Sequence, residues 1–278
     1  MVYEIFENYW KPLMFFTLML LVASSAVLIN NLLTKGSILE RDTELSGGKM
    51  ISMEVDSADL PAITAEIPYA SVRMASGQTK NLIVEIPFDN DESAVIEIVK
   101  KHANVIGEPS IRTVGPVLGD IFFQQAMFAL AVAFLAMVVI VFMLFRSLVP
   151  AGIVILAAVT DITVSLGILH LIGVKLSLPV IAALLALIGY SVDTDILLTS
   201  EILKTGRKNI AESIDKAMRT GLTLTGTTLV ALLAIYFVSG SVVLQQISLV
   251  MMIGLLVDVP ATWFTNAGLL RWHFEKKV

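Results

Sequence analysis

The sequence predicts a polytopic α-helical membrane protein, six transmembrane helices with one small α+β ferredoxin-like (βαββαβ) extracytoplasmic domain between helices 1 and 2. Three observations carry this expectation. The 278 residues are 56% hydrophobic and only 15% charged, with a mean hydropathy of +0.83, far from the composition of a soluble domain. Six windows, about 12–34, 122–145, 149–172, 178–203, 221–239 and 242–270, each hold the roughly 20 apolar residues that cross a bilayer. Between the first two lies a polar stretch whose apolar residues follow strand and helix periods in turn.

The elements follow in order. Lys11 precedes the first apolar run, but Leu13 to Leu33 is too long for the core of a secretory signal and reads as a retained helix. The sixth window is long and is interrupted by Pro260. If six helices alternate, Lys11, Arg146, Lys204, Arg207, Lys208, Lys216, Arg219, Arg271, Lys276 and Lys277 all fall on one side, and only Lys35 and Lys175 mark the other. The positive-inside rule then places a multi-pass protein in the cell membrane with both termini in the cytoplasm. The expected partition is 1–35 for the N-terminus and helix 1, 36–120 for the outer domain, 121–270 for helices 2–6 and 271–278 for a cytoplasmic tail.

Segment 36–120 holds fourteen acidic residues against seven basic ones, which argues against nucleic acid as a partner. Strand-like runs at 49–55, 69–75, 80–86 and 109–114 alternate with helical runs at about 57–66 and 91–104, the order of a ferredoxin-like sandwich. Ser76-Gly77-Gln78 supplies a turn between the second and third runs. Asn90 or Asp91 caps the helix that buries Val95, Ile98 and Val99. Only His102 in this segment could act as a base near neutral pH, and no nucleophile, base and orienter occur together. No Gly-x-x-x-x-Gly-Lys-Ser/Thr, His-Glu-x-x-His or Gly-x-Ser-x-Gly occurs in the chain. The absence of cysteine excludes a disulfide framework and a thiolate metal site. The sequence therefore reads as a non-enzyme, without cofactor or structural metal.

The functional signal lies inside the spans. Asp161, Asp193, Asp195 and Asp258 sit in otherwise apolar windows that contain no Lys or Arg. A carboxylate in hydrocarbon costs several kcal/mol unless protonated, solvated or paired, so such residues mark proton or cation paths. Asp161 falls about 16–18 Å into its helix, near the middle of a roughly 30 Å core, and Asp193 about 22 Å into the next. Asp193 and Asp195 point about 200° apart on one helix. Asp195 shares a stripe with Ser191 and Thr199, and Asp193 one with Gly189 and Ser200. Periodicity does not choose between them. Thr220, Thr223, Thr225, Thr227 and Thr228, around Gly221 and Gly226, add hydroxyls and close backbone approach in the fifth span. Asp258, beside Pro260 near the cytoplasmic end, is expected to reach water or to terminate its helix. The expected coupling residues are Asp193, Asp195 and Asp161, supported by Ser191, Thr227, Thr228 and Gly189, with Asp258 a weaker candidate.

Several segments in order resemble a known family: Glu44-Leu45-Ser46-Gly47-Gly48, Arg112-Thr113-Val114-Gly115-Pro116-Val117-Leu118-Gly119, Asp161-Ile162 with Leu166-Gly167-Ile168-Leu169, Gly189-Tyr190-Ser191, and Thr225-Gly226-Thr227-Thr228. On these residues the chain resembles the SecF branch of the SecD/SecF protein-export family, in the resistance-nodulation-division superfamily. Where bacterial members read Gly-Tyr-Ser-x-Asn-Asp, this chain places Thr194 between Asp193 and Asp195, and its Val-Asp-x-Asp resembles the SecD pattern at Asp193. Ser200-Glu201-Ile202-Leu203-Lys204 replaces the family's Asp-Arg-Ile-Arg-Glu, a departure that points toward an archaeal or divergent member. The resemblance implies a half-transporter completed by a SecD-like subunit in a pseudo-two-fold assembly. It further implies partnership with the Sec translocon channel and the translocating polypeptide within the lipid bilayer, and H⁺ or Na⁺ as the coupling ion. The competing readings are a small-molecule or lipid exporter of the same superfamily and a non-transporting assembly subunit.

Overall fold

The computed structural model describes residues 2–76, 80–205 and 210–275. Helix α1 (Val2–Lys35) bends at Tyr9, three residues before Pro12, whose ring crowds the preceding turn. A linker and the short α2 (Thr43–Ser46) lead into β1 (Gly48–Ala58), α3 (Leu60–Glu66), β2 (Ser71–Ser76), β3 (Lys80–Ile86), α4 (Glu92–His102), β4 (Ala103–Val105) and β5 (Ser110–Val114). Helices α5 (Pro116–Phe145), α6 (Leu148–Leu171), α7 (Leu178–Thr205), α8 (Ile210–Val238) and α9 (Val242–Pro260) follow; a π-helical turn (Ala261–Asn266) then leads into α10 (Ala267–Glu275). Among the described residues six stretches are long and apolar enough to cross a membrane, from Tyr9–Lys35 to the composite Val242–Phe274. The expected fold class holds. The turn positions Gly77 and Gln78 and the basic residues Arg207, Lys208, Lys276 and Lys277 lie outside the described residues.

The antiparallel sheet runs β2-β3-β1, and the far edge of β1 is shared. β5 pairs with Gly48–Ser52 and β4 with Val55–Ala58, past a bulge between Val55 and Ser57. The final strand of the βαββαβ unit is thus split in two. The helix expected to reach 104 stops at His102, because residues 103–105 find backbone partners along an eleven-residue β1. Tertiary pairing overrides local pattern here. Asp91 caps α4 by accepting from Ser93 N. Ile51, Met53 and Val55 of β1 and Leu82, Val84 and Ile86 of β3 are buried against Ile63, Val95 and Val99 on one face of the sheet.

The other face sits on the helix bundle, where the sequence places charges. Glu85 on β3 is buried, 4% exposed, and accepts at 2.8 Å from Lys175 Nζ in the α6–α7 connection. Arg73 Nη2 of β2 lies 2.6 Å from Glu85 Oε1 and 3.4 Å from Asp42 Oδ2. The linker adds a backbone clamp, with Leu176 N donating to Glu40 O and Asp42 N to Leu176 O. Two glycines bring the domain onto α5. Gly47 has φ +80°, and a Cβ there would lie 2.5 Å from Pro116 Cα; a Cβ on Gly119 would lie 2.6 Å from Gly47 N. The double-glycine and Gly-Pro-x-x-Gly segments are therefore two sides of one contact.

Within the bundle α6 and α7 are central, with 56% of their apolar windows buried against 11% for α1, α5 and α8. The side chains of the carboxylate-bearing helices α6 and α7 are thus held by protein on most sides.

Burial and the nearby Asp42 carboxylate push the Glu85 carboxyl above its ordinary 4.5, against the pull of Arg73 and Lys175. A group that binds its proton more tightly when folded stabilises the fold fully below its unfolded value, and that contribution is lost as pH rises through the folded value. Glu85→Gln should therefore flatten the fall in melting temperature between about pH 4.5 and neutrality that Glu85 contributes. Thermal melts of both proteins across that range measure it, and parallel curves would contradict the assignment.

Candidate functional site

Helix α7 presents its two carboxylates to different surroundings. Ser191, Asp195 and Thr199 are buried, whereas Gly189 and Asp193 are exposed on the opposite stripe. The structure thus separates the stripes that periodicity left equal. Asp195 faces α6 and the π turn, in company with Asp161 and Asp258, and the three carboxyl groups are no more than 1% exposed.

Each is held by short polar side chains. Ser191 Oγ donates to Asp161 Oδ2 across the α6–α7 interface. Thr262 Oγ1 lies 2.9 Å from Asp195 Oδ1 and 3.1 Å from Asp258 Oδ1, bridging α7 and α9 with one hydroxyl. Asn266 Nδ2 donates to Asp195 Oδ1 at 2.6 Å. Among the described residues, Asp161 Oδ1, Asp195 Oδ2, Asp258 Oδ2 and Asn266 Oδ1 have no hydrogen-bond partner. Nor does any described Lys or Arg form an ion pair with the three carboxylates. The cluster is rich in acceptors and poor in donors, an arrangement whose desolvation cost falls when a proton or cation is added.

Asp258 is corrected by this geometry. It neither reaches water nor ends a helix, because the chain continues past Pro260 through the π turn into α10 and leaves Asp258 inside a span that runs from Val242 to Phe274. Pro260 lacks the N–H of a regular turn, and the wider π turn follows it at once; such turns often mark functional sites. Thr262 and Asn266 were not singled out from sequence. The signal was present, since Asp258, Thr262 and Asn266 recur at four-residue spacing in the interrupted sixth window.

The other candidates divide. Thr228 Oγ1 is hydrogen-bonded to Tyr190 Oη, joining α8 to α7. Thr227 is exposed and bonds back to Leu224 O at 2.9 Å, as Thr220 and Thr223 do to Lys216 O and Arg219 O. These hydroxyls are satisfied within their own helix. Gly221 has a packing role: a Cβ there would lie 2.3 Å from the Trp263 ring and 3.1 Å from Thr194 Cγ2.

A bundle of this kind, bearing buried carboxylates and a ferredoxin-like domain between its first two spans, is the architecture of a membrane transport unit. Residues 94–276 match the family described as "Protein export membrane protein SecD/SecF, C-terminal". A Protein-export membrane protein SecF from Methanothermobacter thermautotrophicus is 37% identical over 247 residues, covering 85% of each chain. One from Pyrococcus furiosus is 32% identical over 273 residues, covering 96% of this chain and 92% of that one. The chain belongs to the SecD/SecF family of protein-export membrane proteins. Its fold matches that of SecDF from Thermus thermophilus, described as a translocon-associated membrane protein, with a TM-score of 0.78 at 22% identity. The match covers 96% of this chain and 38% of that longer one.

Gly221→Ala should displace Trp263 and with it the π turn that carries Thr262 and Asn266. Overpacking of this kind costs about 1–3 kcal/mol. The expected outcome is a lowered melting temperature and altered Trp263 fluorescence, whereas Gly226→Ala, at a position with open space, should leave both unchanged. Equal behaviour of the two variants would contradict the role of this contact.

Proposed function

We propose that the chain is the SecF-like subunit of an ion-gradient-coupled complex that assists translocation and release of secreted polypeptides at the Sec channel. The single observation that carries this reading is the set of three buried carboxylates on α6, α7 and α9 with no basic partner among the described residues. Asp195 and Asp258, both buried and sharing the Thr262 hydroxyl, leave two negative charges side by side unless one takes up a proton or the pair shares a cation. Loading Asp195 with H⁺ or Na⁺ changes what Thr262 and Asn266 can donate to, so ion occupancy is linked to the packing of α7 against the π turn. Each elementary charge that crosses the field brings about 2.3 kcal/mol per 100 mV, enough to bias two packings of the bundle.

A second unit completes the assembly. The outward stripe of α7, with Ala182, Ala186, Gly189 and Asp193, is exposed, and small residues of this kind let another helix approach closely. A SecD-like subunit fits there, its own helices bringing the partner that Asp193 needs. The charge distribution puts both termini in the cytoplasm and the sheet domain outside, where an exported polypeptide emerges.

The test replaces Asp161, Asp193 and Asp195 singly by Asn in membrane vesicles that contain the partner and the channel. Asn keeps size and hydrogen bonding but cannot ionise. Asp195→Asn or Asp161→Asn is expected to abolish the gradient-stimulated part of export, by at least about tenfold, while the complex still co-purifies. Wild-type export from all three variants would favour the assembly-subunit reading instead.

A further inference from the structure

A cavity of about 270 Å³ opens between α1, α5, α6 and α7 at the end of the bundle that carries the sheet. Its mouth is formed by the linker, at Gly36, Ser37 and Arg41, and its floor by Ile162 and Ile188. Ile162 follows Asp161 in the chain, so the floor lies at the depth of the buried carboxylates. From Leu178 at the start of α7 to Ile188 the helix rises about 15 Å, which is half of a hydrocarbon core of roughly 30 Å. The cavity therefore spans one leaflet. Below the mouth its walls are apolar, with Phe123 and Met127 on α5 and Leu166 on α6 among them.

We propose that this cavity binds one hydrocarbon chain of a phospholipid from the sheet-side leaflet, with the lipid phosphate accepting hydrogen bonds from Arg41. Three observations select this occupant. The walls offer no partners for a peptide backbone, whose N–H and C=O groups would go unsatisfied in such a slot, whereas a hydrocarbon chain has none to satisfy. A helix with its side chains is about 10–12 Å across, too wide for a cavity of this size. Helix α1 packs on α6 while α5 packs on α6 and α7, so the gap between α1 and α5 faces the bilayer. At the mouth, Arg41 stacks on Phe123 with its guanidinium carbon 3.5 Å from the ring centroid. Its ion pair with Asp120, 3.2 Å long, is to a side chain 65% exposed; such surface pairs contribute only about 0–1 kcal/mol, leaving the guanidinium open to a phosphate.

The experiment uses the full chain, purified in mild detergent and supplied with a phosphatidylglycerol whose oleoyl-length chain carries a diazirine near its end. Photolysis is expected to label peptides containing Ile162 or Ile188, saturably and in competition with unlabelled lipid. Native mass spectrometry should show one retained lipid per chain. Leu166→Trp or the milder Met127→Phe should lower retention at least about tenfold, and Arg41→Gln several-fold, a loss of about 1 kcal/mol. Leu233→Trp, on an exposed face of α8, should change nothing. Labelling confined to exposed helix faces, retention unaltered in both filling variants, or a second protein chain retained in place of lipid would each overturn the proposal.

Discussion

Three carboxyl groups packed in an apolar interior with no basic partner among the described residues are the constraint on which the membrane half of this structure turns. Each must be supplied with hydrogen-bond donors or give up its charge. The chain meets the need with small neutral donors rather than with Lys or Arg: Ser191 for Asp161, and Thr262 with Asn266 for Asp195. Neutral donors hold a carboxylate without locking its charge state, which a salt bridge would do.

Other features follow from that need. Thr262 and Asn266 reach α7 because the sixth span widens into a π turn directly after Pro260. The turn is held in place by Trp263, which lies against Gly221 where no larger residue fits. The most buried spans, α6 and α7, carry Asp161 and Asp195, while α1, α5 and α8 pack around them with most of their surface exposed. At the sheet side the ferredoxin-like domain is clamped to the α6–α7 connection by Lys175, Glu85 and Arg73 and by the backbone at Leu176. Two of the three helices that hold the carboxylates, α6 and α7, are therefore tied to the outer domain. A change in their packing has a short covalent and ionic route to it.

Much of this was legible in the sequence, and the exceptions have physical reasons. Apolar windows of membrane length and the βαββαβ order could be read because both depend on local periodicity. The split of the last strand into β4 and β5 could not, since it depends on the length of β1 and its bulge. Asp161 and Asp195 stand out as lone charges in apolar runs, but two residues of separation on one helix cannot say which of Asp193 and Asp195 turns inward. That is decided by where α6 and α9 pack. Asp258 was misplaced because Pro260 reads as a helix end, whereas the backbone absorbs it as a π turn and continues. Thr262 and Asn266 were passed over for the same reason.

The most direct measurement is infrared difference spectroscopy of the intact protein with its partner in bilayers, recorded while buffer is exchanged between acid and alkaline pH and between Na⁺ and a large inert cation. A carboxyl band should respond to pH or to Na⁺, be lost in Asp195→Asn and be shifted in Asn266→Ala. A spectrum that stays constant under both exchanges, or a response untouched by either substitution, would contradict it.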